Sequence, residues 1–316
     1  MFSIPFELER SIVINKPADL VYESLGDFNQ WGKWSPWIIQ EPECPVTVTG
    51  DALALGHHQA WNGKRIGSGY MDLIECNENQ YLAYDLVFVS PWKSQSKTQF
   101  KLEAVTPGEG HEHATKVTWL MQGTLPIFLF FMKKMMSVFV GGDYERGLKM
   151  LKEWLEDNRV SSSVDINGIT EKEGYYYIGI EANCDTDEIP KVMKPTYEDL
   201  MGRDLPQPDA YMTINLYFNP VKKKCAMIAA FAYKQKPDVK LPVDMVAGVV
   251  PDHKALEVVH NGSYKHLANG WVTLMNYMRF KKIKADKKIK EYEVYLNSPE
   301  DTAEQDLKTA IYAPVK

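Results

Sequence analysis

The sequence is short of the residues that staple a chain, anchor it in a bilayer or draw it to nucleic acid. Only four of its 316 residues are cysteine, and Cys44, Cys76, Cys184 and Cys225 are too far apart in sequence for any CxxC pair. That spacing gives no basis for a disulfide framework, and free thiols in a reducing cytoplasm are the simplest account. Positive charge is not in excess either, since the formal net charge is −6. Residues 1–160 carry 15 basic and 20 acidic side chains, and residues 161–316 carry 21 and 22. Neither half therefore has the footprint of a nucleic-acid binder. The local run Lys281, Lys282, Lys284, Lys287 and Lys288 reads as a solvated loop. One segment, Leu125–Met132, invites a membrane reading, but Lys133 and Lys134 end it far short of the roughly 20 apolar residues that a span requires. It reads as the buried start of a helix, with a surface-seeking patch as the other reading. No membrane span is expected. Strand-like sequence begins within a few residues of Met1, so no signal peptide is expected, and the expected location is cytoplasmic.

Recognisable chemistry is scarce too. There is no nucleophile elbow, phosphate loop or dinucleotide fingerprint, so no cofactor is expected. His57 and His58 are adjacent and cannot face one way on a strand. His111-Glu112-His113 falls in a glycine-rich turn with no third ligand at a helpful spacing, so no metal site is expected.

What remains is ordinary globular composition, 45% hydrophobic and 25% charged. At about 100–200 residues per domain, the length suggests two domains. Phe6, Leu8, Ile12 and Ile14 alternate with polar residues and predict a first strand over 6–14, although Arg10 falls on the apolar face. Pro17 opens a short helix over 18–26. An aromatic loop follows, holding Trp31, Trp34 and Trp37. Six strands are predicted near 46–49, 55–61, 67–76, 80–89, 96–105 and 115–123. A helix over 127–157 closes the set; Gly141-Gly142 interrupts it, and Asp143 is placed to cap the second part. Residues 158–170 are polar with a serine run. They place a linker at 161–170, between domains 1–160 and 171–316. The second half then predicts two strand-helix-strand-strand modules, 175–234 and 255–313, related by a pseudo-twofold with a cleft between them. The fold class is α+β in both domains.

The pieces SIVINKPADLVYESLGDFNQWGKWSPW, GSGYMDLIE, TKVTWLMQG and GGDYERGLKMLKEWLE resemble the START-like superfamily, also called SRPBCC or polyketide cyclase/dehydrase-like. That resemblance implies a helix-grip domain, a curved sheet around a long C-terminal helix with a deep apolar cavity for a flat hydrophobe. The pieces HNGSYKHLANGWVTLMNYM, EYEVYLNSP and DLKTAIYAPV are similar to the GyrI-like effector-binding domain. Pro251-Asp252-His253 departs from that family's usual Pro-x-Gly turn. Regulator relatives carry a DNA-binding segment that does not precede the domain here, so no nucleic-acid partner is implied.

Strand alternation puts Glu291, Glu293 and Tyr295 on one face. The resemblance implies that Glu293 is the cleft glutamate, able to pair with a cation among aromatic rings or, if the protein is an enzyme, to act as acid or base. Tyr264 and Trp271 lie seven residues apart and can share a helix face. They could line the cleft or simply pack on the sheet. Tyr177, Tyr211 and Tyr233 lie on candidate cleft strands with their facing open. In the first domain Trp34 and Trp119 are pocket candidates, with core packing as the other reading. The expected function is binding of a small hydrophobic or cationic molecule, more than catalysis. Two alternatives stand beside it: a hydrolase using Glu293, and a protein-interaction role like that of chaperone regulators or the gyrase inhibitor. The oligomeric state is left open.

Overall fold

The computed structural model describes residues 3–127 and 132–316. The chain divides into two compact units, Met1–Ser161 and Ser162–Lys316.

The first unit runs β1 (Ser3–Ile14), α1 (Ala18–Gly26), α2 (Phe28–Trp31), β2 (Val46–Thr49), β3 (His58–Asn62), β4 (Ser68–Asn77), β5 (Tyr81–Ser90), β6 (Ser94–Ala104), β7 (Thr115–Pro126) and α3 (Met132–Asp157). Its seven strands form one sheet in the order β1-β7-β6-β5-β4-β3-β2. Hydrophobic alternation drives the pairing, and Phe6, Leu8 and Ile14 of β1 are buried as expected. Asp27 caps α2 by accepting from the Asn29 N–H at 2.9 Å. Tyr144, Leu148 and Leu151 of α3 are buried at helical spacing.

Two expectations for this helix need correction, and a third falls where the structure is silent. Helix α3 runs unbroken through Gly141-Gly142. Asp143 is no cap; it pairs with Arg146 and accepts from Trp37 Nε1 at 3.1 Å. Phe128–Phe131 lie outside the described residues. Gly141 and Arg10 explain each other. The Arg10 guanidinium crosses the helix at that point, 2.4 Å from where a Gly141 Cβ would stand, and pairs with Glu145. A charged residue thus stays on the inner face of β1 because a glycine makes room and a carboxylate receives it.

The second unit runs β8 (Ser162–Lys172), β9 (Tyr175–Asp185), α4 (Ile189–Met201), β10 (Ala210–Asn219), β11 (Lys224–Tyr233), β12 (Val246–Val250), β13 (His253–Gly262), α5 (Ala268–Lys281), β14 (Tyr292–Tyr295) and β15 (Lys308–Pro314). One eight-stranded sheet holds them in the order β12-β9-β11-β10-β14-β15-β13-β8. The modules β9-α4-β10-β11 and β13-α5-β14-β15 meet at the central β10–β14 pair. Each outer edge carries one strand that the sequence reading lacked, β12 beside β9 and β8 beside β13. The expected linker at 161–170 is therefore mostly strand. Val164 and Ile166 of β8 pack beneath α5.

Directly opposed residues of an antiparallel pair share a face. Ala229, Thr213, Glu293, Ile311 and Val258 are opposed in turn across five strands. Ala229 packs in the α4 cluster, whereas Ile311 and Val258 pack in the α5 cluster. Both helices therefore lie on one face of the sheet, and Glu293 lies on that same face between the two clusters.

Candidate functional site

Strand β14 occupies the centre of the second sheet, and its alternation sorts its four residues. Tyr292 and Val294 enter the cluster on the far face, with Tyr312. Glu293 and Tyr295 turn to the helix-bearing face. Glu293 is only 7% exposed. Its Oε1 accepts from the Trp271 indole N–H of α5 at 2.5 Å, and its Oε2 accepts from the Tyr295 hydroxyl at 3.0 Å. The Tyr295 oxygen lies 2.8 Å from Thr213 Oγ1, which lies 3.0 Å from the Tyr197 hydroxyl of α4. Tyr197 donates onward to the Met212 carbonyl at 2.6 Å. Its proton and that of Tyr295 are thus committed, so Thr213 is the donor to one of the two phenol oxygens. The rings of Tyr264 and Tyr197 meet Tyr295 edge-on at 5.5 and 5.7 Å.

The electrostatics follow from this geometry. Burial pushes the Glu293 carboxyl up, while its two neutral donors act in the opposite direction. Burial and then the Glu293 charge push Tyr264 up to about 12, and raise Tyr295 well above its ordinary range. The phenols therefore stay neutral near neutral pH. Among the described residues no Lys, Arg or His forms an ion pair with Glu293. The site thus offers one carboxylate, no fixed counter-charge and several π faces.

Of the residues expected here, Glu293, Tyr295, Tyr264 and Trp271 come together. Tyr211 lies one strand away on the same face, opposed to Tyr295 and edge-on to Phe231. Tyr177 does not join them. It is opposed to Ala232 and belongs with the cluster on the far face, a parity the sequence left open. Tyr233 packs in the α4 cluster and donates to the Pro206 carbonyl. Glu291 lies just before β14, where its carbonyl accepts from the Asn215 N–H at 2.9 Å. Tyr197 and Thr213 were missed. Tyr197 could have been found from the helical spacing Met193, Tyr197, Leu200. Thr213 carries no comparable signal.

In the first unit Trp34 and Trp119 are fully buried core residues rather than liners of an open pocket. Trp119 stacks on Tyr144 of α3 with ring centres 3.9 Å apart, and Trp31 and Phe100 each pack against Trp119. Thr98 ties the group together. Its Oγ1 accepts from Trp119 Nε1 at 2.9 Å, lies 2.9 Å from the Tyr144 hydroxyl and donates to the Leu120 carbonyl at 3.1 Å. Side chains thus fill the centre of the implied cavity. Space remains to either side. A recess of about 230 Å³ lies between α2 and β2–β3 against Phe28, Trp31, Val48 and Gln59. A cleft of about 400 Å³ lies between β1 and the start of α3, against Phe6, Leu8 and Ser137. Among the described residues no cluster of three or more His, Cys, Asp or Glu side chains is placed to hold a metal. No helix among them is long and apolar enough to cross a membrane.

Residues 5–156 match the family described as polyketide cyclase / dehydrase and lipid transport, and residues 168–316 match the GyrI-like small molecule binding domain. No curated protein matches the chain. Among solved structures, CalU16 from Micromonospora echinospora is 18% identical over 50% of this chain and 88% of its own, with a TM-score of 0.33. The Aha1 dimer from Colwellia psychrerythraea is 18% identical over 48% of this chain and 96% of its own, with a TM-score of 0.34. SAV2435, solved bound to tetraphenylphosphonium, is 14% identical over 48% of this chain and 94% of its own, with a TM-score of 0.39. The chain is a fusion of two families, a polyketide cyclase / dehydrase and lipid-transport domain followed by a GyrI-like small molecule binding domain.

Proposed function

We propose that the second unit binds lipophilic aromatic cations, with Glu293 as the counter-charge and Trp271, Tyr264 and Tyr295 as the rings that receive the aromatic body. One observation carries this reading: a glutamate 7% exposed that meets only neutral donors. Taking a carboxylate out of water without a cation is unfavourable, and a positively charged ligand offsets that penalty. The rings add cation–π attraction of about 0.5–2 kcal/mol, more where the cation is desolvated. Free Glu293 is held partly by the Trp271 indole, so the ligand's charge exchanges with a neutral donor and no salt bridge has to be broken.

The test is a calorimetric titration of the full chain with ethyltriphenylphosphonium, before and after Glu293→Gln. Glutamine keeps the shape and one acceptor oxygen but removes the charge. Affinity should fall by about 1–3 kcal/mol, the range for losing a charged hydrogen-bond partner. Neutral triphenylphosphine oxide serves as the control and should bind both proteins alike. Equal affinity of the phosphonium for both proteins refutes the reading.

A further inference from the structure

The floor of the Glu293 cleft carries a second, unassigned feature. One row of opposed residues crosses the sheet as Tyr211, Tyr295, Thr309, His260 and Val164. Thr309 and His260 therefore lie side by side on the face that bears Glu293, with Thr309 next to Tyr295. Both are fully buried. Among the described residues neither Thr309 Oγ1 nor His260 Nδ1 has a hydrogen-bond partner. The other histidine nitrogen is engaged: Nε2 lies 2.9 Å from Ser162 Oγ, and Asn269 Nδ2 donates to that same oxygen at 2.9 Å. Ser162 Oγ accepts from Asn269 and either donates to Nε2 or accepts from it. In either tautomer Nδ1 is a polar atom with nothing to meet.

Tyr264 leaves the end of β13 through a short turn and reaches Tyr295 on β14, which takes it across β15 at the level of Thr309. It is 37% exposed, whereas Thr309 and His260 are fully buried. On the other side Gly270 of α5 sits directly over the His260 Cβ, 3.1 Å from where its own Cβ would stand, and closes that flank. A buried ring nitrogen and a buried hydroxyl with no partner each carry a penalty, and adjacent ones have one common remedy, a polar atom placed between them.

We propose that Thr309 and His260 form a hydrogen-bonding subsite of the Glu293 cleft, reached when Tyr264 swings aside, that takes a hydroxyl or carbonyl oxygen on the body of the bound cation. The inference rests on the cation-binding reading and narrows it. The favoured ligands are aromatic cations bearing an oxygen a few bonds from the charge, ahead of purely hydrocarbon ones. The oxygen exchanges hydrogen bonds with His260 Nδ1 and Thr309 Oγ1.

A matched pair of probes isolates this contribution. Ethyltriphenylphosphonium and (2-hydroxyethyl)triphenylphosphonium differ by one hydroxyl and share charge and rings. The full chain should bind the hydroxylated probe roughly tenfold more tightly, one net hydrogen-bond increment. Thr309→Val replaces the hydroxyl by a methyl of the same shape. It should erase that preference while leaving affinity for the ethyl probe within about twofold, and Thr309→Ser should keep it. Because valine also removes an unpaired buried hydroxyl, the variant should be at least as stable as the parent in urea. Equal binding of both probes by the parent protein overturns the subsite and leaves the Glu293 reading intact. Equal loss of both probes in Thr309→Val also overturns it, since Thr309 would then be only structural. Failure of the parent to bind either probe sinks both readings.

Discussion

Thr98→Val is the substitution that tests whether the first unit is solid or hollow. Thr98, Trp119 and Tyr144 are all 1% exposed. Valine fits the space but leaves the Trp119 indole N–H and the Tyr144 hydroxyl without their shared partner. Each stranded buried group costs about 1–3 kcal/mol, so the variant should lose roughly 2–5 kcal/mol. Tyr144→Phe alone should cost only about 1 kcal/mol, because Thr98 keeps its other two bonds. The sign should then reverse. In the Thr98→Val background Tyr144→Phe removes a stranded hydroxyl and should be neutral or stabilising, a coupling that a double-mutant cycle reads directly. Urea denaturation followed by tryptophan fluorescence suits the purpose, since seven of the eight tryptophans lie in the first unit. A loss below about 0.5 kcal/mol, or equal effects of Tyr144→Phe in both backgrounds, refutes the packed interior. Water would then reach the indole, and a central cavity would have to be restored.

Two further outcomes follow from the titrating groups of the second unit. Burial raises the Glu293 pKa, so the free site holds a proton where an exposed glutamate would not. Affinity for the phosphonium should therefore fall as pH drops through that raised value, and Glu293→Gln should flatten the profile; a parent profile that is already flat contradicts the assignment. Burial, and then His266, lower the His260 pKa from 6.5 to about 4. The unfolded chain takes up this proton below about 6.5 and the folded unit does not, so stability present above that pH is lost as pH falls toward 4. At about 1.4 kcal/mol per unit the loss reaches at most about 3 kcal/mol. Protection factors of the β13 amides, referred to the intrinsic exchange rate at each pH, should fall over that window, and His260→Gln should abolish the fall.

Much of this was legible in the sequence wherever one period governed a segment. Helix α1 and strand β2 fall on the expected residues, and β1, β6 and β7 follow their alternation closely. Strand β8 was not legible, for a physical reason. Its register with β13 shifts between Glu257 and Val258, opposite Asn167, and Gly168 takes a φ of +87° there. Beyond the bulge the parity flips. Val164 and Ile166 face α5, whereas Lys172 reaches Glu257 and the Tyr312 ring on the far face. A strand that changes face midway and puts Ser162 and Lys172 to structural use reads as a polar linker. At the site, alternation sufficed for Glu293 and Tyr295 because β14 is short and regular. Tyr175, Tyr176 and Tyr177 of β9 defeat it, since three consecutive aromatics give no parity. In the first unit a Trp-rich sequence is equally consistent with a lined pocket and a filled one. Only the convergence of Trp119 and Tyr144 on Thr98 decides between them.

The residue opposite Glu293 bears on its charge. Strands β10 and β14 pair at the centre of the sheet, and there Thr213 and Glu293 are directly opposed. A second glutamate at 213 would stand about 5 Å away on the same buried face. Two carboxylates that close in a medium of low polarity cannot both ionise, and a shared proton would cancel the attraction for a single positive charge. Threonine adds no charge. Its hydroxyl joins Tyr197 and Tyr295, so that the Tyr295 proton is left for Glu293. A single carboxylate among neutral donors is therefore what the proposed binding of a monovalent cation requires.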